Sequence, residues 1–284
     1  MVTNQFSSHK ASINGLVLNY VEWLPEPAKS KPADPILLLH GANGNAHTWN
    51  QVGPRFGGFA RTLALDLRGH GASEWPRPPA YRCEDYASDI EQLVDGLGLR
   101  QVVLLAHSMS VFHSIRFAVS RPEKVSRLIL VDIEAAARPE HIHMLRSAGS
   151  KGDIVISSVD EAMARERRFF KFADEGALRT FVTTNLREMP PDAGQPGTLT
   201  YAYDRATLSE FEAYDEWGRL GRIKCPVLLV YGTESYVVRS EVMNEMARAI
   251  QDARVVALER AGHFPQLDNP DGFLAATLDF ALGR

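Results

Sequence analysis

A serine becomes a nucleophile when a base takes its proton and the backbone holds its oxygen out where a substrate can reach it. One serine in this chain has the local sequence for the second condition. Val102-Val-Leu-Leu-Ala-His-Ser-Met-Ser runs as a short apolar strand directly into a helix-like segment, with Ser108 at the corner. Such a corner is a nucleophile elbow: a sharp turn lifts the hydroxyl above a sheet edge, and the next N–H, that of Met109, opens a helix and can face a developing oxyanion. Strand and helix approach closely there, so the residues two before and two after must be small. Ala106 and Ser110 are small, although the commoner pattern has glycine at both and neither relieves backbone strain as glycine does. Taken alone the pattern is a weak signal, since most such serines are helix caps or turns. Its place after a buried strand is what singles Ser108 out.

The remaining reactive side chains narrow the chemistry. His141 and His143 stand two apart without an evident third ligand, and zinc-type Cys/His spacing is absent, so no metal is expected. His40, His70 and His113 read as structural, and His107 fills the variable position of the elbow. The two cysteines, Cys83 and Cys225, imply no disulfide framework and suit a reducing compartment.

Positioning Ser108 requires a sheet. Short Leu-rich or β-branched runs, Ile36–Leu39, Thr62–Asp66, Val102–Ala106, Leu128–Asp132, Val227–Tyr231 and Val255–Leu258, suit strands covered on both faces. Helical spacing lies between them, as in Tyr86–Leu97, where Ile90, Leu93, Val94 and Leu97 form one stripe, and in Val111–Ser120. Strands alternating with helices imply a parallel sheet with right-handed crossovers. At the start, Ser12–Asn14 and Leu16–Trp23 flank Gly15 and predict an antiparallel edge hairpin, making eight strands with the six above. Pro25–Pro35 reads as a loop. The alternation stops between about Glu134 and Arg222, which lacks convincing strands and shows helix-like pieces at His141–Ala148, Val159–Phe172, Glu175–Glu188 and Ala206–Trp217, divided by a loop at Pro190–Gly197. An all-helical insertion there would sit at the carboxyl ends of the strands, where open α/β sheets bind ligands. The expectation is a core of residues 1–133 and 223–284, with a cap of residues 134–222.

Four motifs in this order, His40-Gly41-Ala42-Asn43-Gly44, Asp66-Leu67-Arg68-Gly69-His70-Gly71-Ala72-Ser73, Ala106-His107-Ser108-Met109-Ser110 and Ala261-Gly262-His263-Phe264-Pro265, resemble the α/β-hydrolase superfamily over nearly the whole chain outside the cap. The likeness is closest to capped serine esterases and carbon–carbon bond hydrolases. It implies the α/β-hydrolase fold, a mostly parallel eight-stranded sheet flanked by helices with a helical cap inserted. It also implies that His263 is the general base, and that the N–H groups of Ala42 and Met109 form the oxyanion hole. The third member departs from the commonest pattern: Gly232-Thr233-Glu234-Ser235 has serine where aspartate is usual. Asp132, ending the strand after the elbow helix, is the favoured acid. Glu234 is the alternative, and Glu134 is considered after both.

This reading predicts acyl transfer to water with no cofactor. The substrate would be a small carboxylic ester with an apolar or aromatic body, because Phe169, Phe170, Phe172, Phe181, Tyr201, Tyr203, Phe211, Tyr214 and Trp217 fall in the cap; those rings must also serve as the cap's own core. Arg138, Arg146, Arg168 and Arg187 could meet a carboxylate, with surface placement the simpler reading, and Arg165, Arg167 and Arg168 read as a solvated helix face. A carbon–carbon or lactone hydrolase of a ring-cleavage product is the enzymatic alternative, and a non-catalytic ligand receptor is the alternative of another class. Serine at the elbow argues against epoxide hydrolase and haloalkane dehalogenase chemistry, which uses aspartate there. A net charge of −4 and a pI of about 6.2 give no basic excess for nucleic acid. The polar N-terminus and the lack of an apolar run near the ~20 residues of a membrane span make a cytoplasmic protein without membrane contact the expectation. Oligomeric state is not readable.

Overall fold

The structure, a computed structural model, describes residues 6–25, 33–189 and 197–284. Most of the loop expected at 25–35 and nearly all of the one expected at 190–197 therefore lie outside the described residues.

Among the described residues ten strands are present: β1 Ser7–Ile13, β2 Leu16–Trp23, β3 Ile36–Leu39, β4 Thr62–Leu65, β5 Val102–His107, β6 Val125–Val131, β7 Leu186–Glu188, β8 Leu199–Tyr201, β9 Val227–Gly232 and β10 Ala253–Leu258. Eight form one sheet in the order β1-β2-β4-β3-β5-β6-β9-β10. The pairs β1–β2 and β2–β4 are antiparallel and the rest parallel. The hairpin closes on Asn14-Gly15, with Ile13 opposite Leu16 and both turn residues at positive φ (49° and 79°). Backbone twist in a two-residue hairpin demands that conformation, and Asn-Gly tolerates it.

Alternate residues along each inner strand enter opposite cores, because strand side chains have period two. Leu37, Leu39, Leu104, Ala106, Leu128 and Leu130 pack with Tyr86, Ile90, Leu93 and Phe112 from helices Cys83–Gly96 and Ser110–Ser120. Ile36, Leu38, Val103, Leu105, Ile129 and Val131 pack with Trp49, Phe56 and Phe273 on the other face. Uniformly apolar strands follow from this double coverage.

The chain leaves β3 for β4 on one side and returns to β5 on the other. That reversal opens a crevice at the carboxyl ends of β3 and β5, the place where such sheets hold ligands. The segment from 134 to 222 packs there around a third core of Ile156, Met163, Phe170, Leu178, Phe181, Tyr201, Tyr203 and Leu208, joined by Phe264 and Leu267 from the far end of the chain.

This segment is not all-helical as expected. Helices Pro139–Gly149, Val159–Glu166 and Glu175–Thr184 are accompanied by an antiparallel ribbon of β7 and β8. Three-residue strands are too short to display alternation in sequence. The expected helix 175–188 stops at Asn185, and that at 206–217 breaks into Ala206–Ser209 and Trp217–Leu220, with Ala136 bridging Asp215 between them. Among the described residues, no helix is long and apolar enough to cross a membrane.

Candidate active site

The elbow forms because Ser108 takes a left-handed φ of 55° between strand β5 and the helix that begins at Ser110. Its N–H donates to Val131 O on β6 at 2.9 Å, which fixes the corner against the neighbouring strand. Ala106 and Ser110 are fully buried. The Ser110 hydroxyl does what a glycine cannot: it donates to the His40 carbonyl and ties the elbow to the loop after β3. On that loop, a Cβ added to Gly41 would lie 2.7 Å from Ser108 Cβ and 3.0 Å from His107 Nδ1, so only glycine permits this approach. Ala42 follows, and Ala42, Asn43, Ser108 and Met109 line one cavity. Among the described residues, no acceptor takes the N–H of Ala42 or Met109.

His263 reaches Ser108 from the loop after β10. Its Nε2 lies 3.0 Å from Ser108 Oγ, and its Nδ1 lies 2.7 Å from Asp132 Oδ2. Asp132 also has a positive φ (54°), its N–H donating to Val230 O at 2.8 Å. The carboxylate is completely buried, and it accepts Gly232 N–H at Oδ1 (2.9 Å) and the Ser235 hydroxyl at Oδ2 (2.6 Å). Ser235 in turn accepts Val237 N–H at 3.1 Å. Four strand ends, those of β5, β6, β9 and β10, thus meet through one chain of hydrogen bonds.

The other carboxylates considered are not brought to His263. Glu234 is exposed and faces Lys171 at 3.7 Å. Glu134 is buried with both oxygens held by Arg239, at 2.9 and 2.7 Å. The residue after a strand end points along the sheet edge, whereas those two sit further out on their loops.

The remaining histidines have local tasks. His40 Nε2 accepts Leu67 N–H at 3.0 Å and Nδ1 donates to Gly41 O at 2.8 Å; burial holds it neutral, well below the usual histidine range. His70 donates Nδ1–H to Arg68 O and stacks on Tyr203, with burial lowering its pKa to about 4. His113 stacks on Tyr86 beside Cys83 Sγ, and burial lowers its pKa to about 3. His107, at the variable position of the elbow, donates its Nε2–H to the His263 carbonyl at 2.6 Å and so anchors that loop. His141 lines the cavity and accepts from Arg138 Nη2 at 2.7 Å. Among the described residues, no group of three or more His, Cys, Asp or Glu is placed to hold a metal ion.

The cavity over Ser108 has a volume of about 320 Å³, the size of a small-molecule site. Phe112, Ile133, Leu145, Ile154, Phe181 and Phe211 give it apolar walls. Of the insertion's aromatics, Phe169, Phe181, Tyr201, Tyr203 and Phe211 line it, while Phe170 and Tyr214 are buried away from it. Sequence reasoning missed its polar end. Tyr201 O–H donates to Glu166 Oε1 at 2.5 Å, and burial raises the Glu166 carboxyl above the usual range. Arg165, Arg168 and Arg205 line the same wall, so the helix face read as solvated is in part a cavity wall. Tyr201 and Tyr203 alternate along β8 and the bridge that follows it, whereas Arg205 sits in helical conformation at the start of Ala206–Ser209, where no period in the sequence marks it.

A parallel sheet with a serine elbow, a histidine loop and a helix-rich insertion over its carboxyl edge defines a class of small-molecule hydrolases. The chain belongs to the α/β-hydrolase fold family, whose model matches residues 34–270, and it is a hydrolase of that superfamily. It is 27% identical over 263 residues to the sn-1-specific diacylglycerol lipase ABHD11 of Mus musculus, covering 86% of this chain and 80% of the relative. It is 24% identical over 281 residues to the 2-(acetamidomethylene)succinate hydrolase of Mesorhizobium japonicum, covering 99% and 97%. The crystal structure of E-2-(acetamidomethylene)succinate hydrolase superposes with a TM-score of 0.85 at 22% identity, covering 99% of this chain and all of the other, a likeness of fold.

Proposed function

We propose that this hydrolase cleaves a carboxylic ester of a small substrate with an apolar or aromatic body, through an acyl-enzyme at Ser108. The observation that carries the reading is the unbroken chain from Ser108 Oγ through His263 to Asp132, opening into a cavity beside two unengaged backbone N–H groups. His263 Nε2 takes the Ser108 proton as Oγ attacks the carbonyl carbon. The oxyanion is held by Ala42 and Met109 N–H, and collapse expels the alcohol with the proton returned by His263. Water, deprotonated by the same imidazole, then attacks the acyl-enzyme and releases the acid. Asp132 keeps the proton on Nδ1, so that Nε2 is the free base, and stabilises the imidazolium. The segment 134–222 acts as a cap that closes the site and shapes it for substrate.

The test is covalent labelling with a fluorophosphonate probe together with turnover of aryl esters of graded chain length. Both are expected for the unaltered chain and both are lost in Ser108→Ala. A chain that takes no label and turns over no ester would count for a ligand receptor on this fold instead. A second enzymatic reading keeps the serine and changes the bond, to a carbon–carbon or lactone bond of a ring-cleavage product. The relative named for hydrolysis of a succinate derivative, matched over nearly the whole chain, keeps small acids among the substrates to try. Turnover of dienoate acids without aryl esters would favour that reading.

A further inference from the structure

Guanidinium groups in the inserted segment mostly have counter-ions. Arg165 meets Glu161, Arg167 meets Glu175, Arg179 meets Asp160 and Arg187 meets Asp153. The two that line the cavity without one are Arg168 and Arg205: among the described residues, no carboxylate lies within 4.0 Å of either. Arg168 rests 4.6 Å over the ring of Phe169. Arg205 is held more firmly. Nη1 donates to Tyr203 O–H at 2.5 Å and Nη2 to the Ala148 carbonyl, while Nε is buried without an acceptor. Two of its five N–H bonds are therefore accepted and three are not.

A half-buried, fixed and unpaired guanidinium costs stability, because its hydration is partly lost and nothing replaces it. Such violations are expected at functional sites. The Glu166 carboxyl on the same wall is not an ion-pair partner of either: it lies beyond 4.0 Å of both guanidiniums and already accepts the Tyr201 hydroxyl. Three guanidiniums, one carboxyl and the hydroxyls of Tyr201 and Tyr203 thus gather at one end of a largely apolar cavity.

We infer that Arg205, assisted by Arg168, is a carboxylate subsite. The substrate is then an acyl compound with an apolar body and a second, free carboxylate distal to the bond that Ser108 attacks. Arginine suits the task, since its planar fork donates two parallel N–H bonds to a carboxylate, and the Tyr203 and Ala148 contacts leave hydrogens on both terminal nitrogens. The inference rests on the acyl-enzyme reading above and deepens it.

The experiment compares mono-4-nitrophenyl esters of straight-chain dicarboxylic acids with 4-nitrophenyl esters of monocarboxylic acids of matching length. The unaltered protein should favour the carboxylated member at one chain length by about tenfold or more in kcat/KM, as one hydrogen bond to a charged group supplies. Arg205→Met should abolish that preference, bringing the carboxylated and neutral esters of the favoured length to about equal kcat/KM, and Arg205→Lys should recover part of it. Arg168→Met should lower it by a smaller factor. Rising salt should weaken the preference in the unaltered protein and leave neutral esters unaffected. Neutral esters preferred at every length, or equal losses on both series in Arg205→Met, would overturn the subsite and leave the Ser108 mechanism standing. Loss of labelling and of both ester series in the unaltered protein would overturn the mechanism itself.

Discussion

Asp132 accepts three hydrogen bonds, two of them from side chains that substitution can remove. His263 Nδ1 and Ser235 Oγ meet the same oxygen, Oδ2, while Gly232 N–H takes Oδ1. Asp132→Asn would present a donor to His263 and favour the wrong tautomer, so turnover should fall by about 10⁴ with KM little changed, as for a comparable triad change. Glu234→Gln, in contrast, should stay within about twofold, since an exposed residue that faces Lys171 contributes little. Ser235 acts through the acid. Its O–H draws charge away from Oδ2, so Ser235→Ala should concentrate that charge on His263, raise the acid limb of the kcat/KM profile, and lower kcat by about tenfold, the worth of one hydrogen bond to a charged group. Ser235→Thr should restore both. An unchanged pH profile in the alanine variant would separate Ser235 from the proposed triad.

Elements matter here through how closely they meet. The loop after β3 touches the elbow at Gly41, where a single added methyl group would collide with Ser108. Gly41→Ala should push that loop outward and carry Ala42 N–H with it. The expected result is a fall in kcat of about 10²–10³, the cost of one oxyanion donor, at nearly constant KM and unchanged circular dichroism. The same scale explains what could be read in advance. Strands β3, β5 and β9 and the Leu128–Val131 part of β6 announce themselves because burial on both faces makes them almost wholly apolar, and Asn14-Gly15 announces the hairpin because its backbone needs positive φ. The ribbon β7–β8 does not, since three residues carry no period. Arg205 stayed hidden because it stands at the cap of a four-residue helix, Ala206–Ser209, too short to show a face in sequence. The choice among Asp132, Glu234 and Glu134 could be narrowed but not made, because all follow strands that end at one edge.

For the molecule as a whole, four fully buried histidines couple stability to pH. Burial depresses His40 and His107 well below the usual range, His70 to about 4 and His113 to about 3. The unfolded chain titrates these groups near ~6.5, so on acidification it binds protons that the folded chain refuses. Stability is therefore complete above pH ~6.5 and falls as pH drops toward each folded value, with His70 alone amounting to about 3 kcal/mol by pH 4. Burial shifts Asp66 and Asp89 upward, the opposite sign, which relieves part of the loss at the acidic end. The urea midpoint should stay nearly level above pH ~6.5 and drop from there to pH 5, and a flat midpoint over that lower interval would contradict the burial argument.

The bonds from Gly232 and Ser235 to Asp132 have one further consequence. They join the end of the strand before the inserted segment to the end of the strand after it, and close a staple beneath the whole excursion. The excursion can therefore drift in length and composition while the groups below it stay in register. Ancestry and engineering should both exploit that seam: a foreign segment spliced between residues 133 and 223 should change which molecules are accepted and leave the reactivity of Ser108 toward a small phosphonylating agent intact.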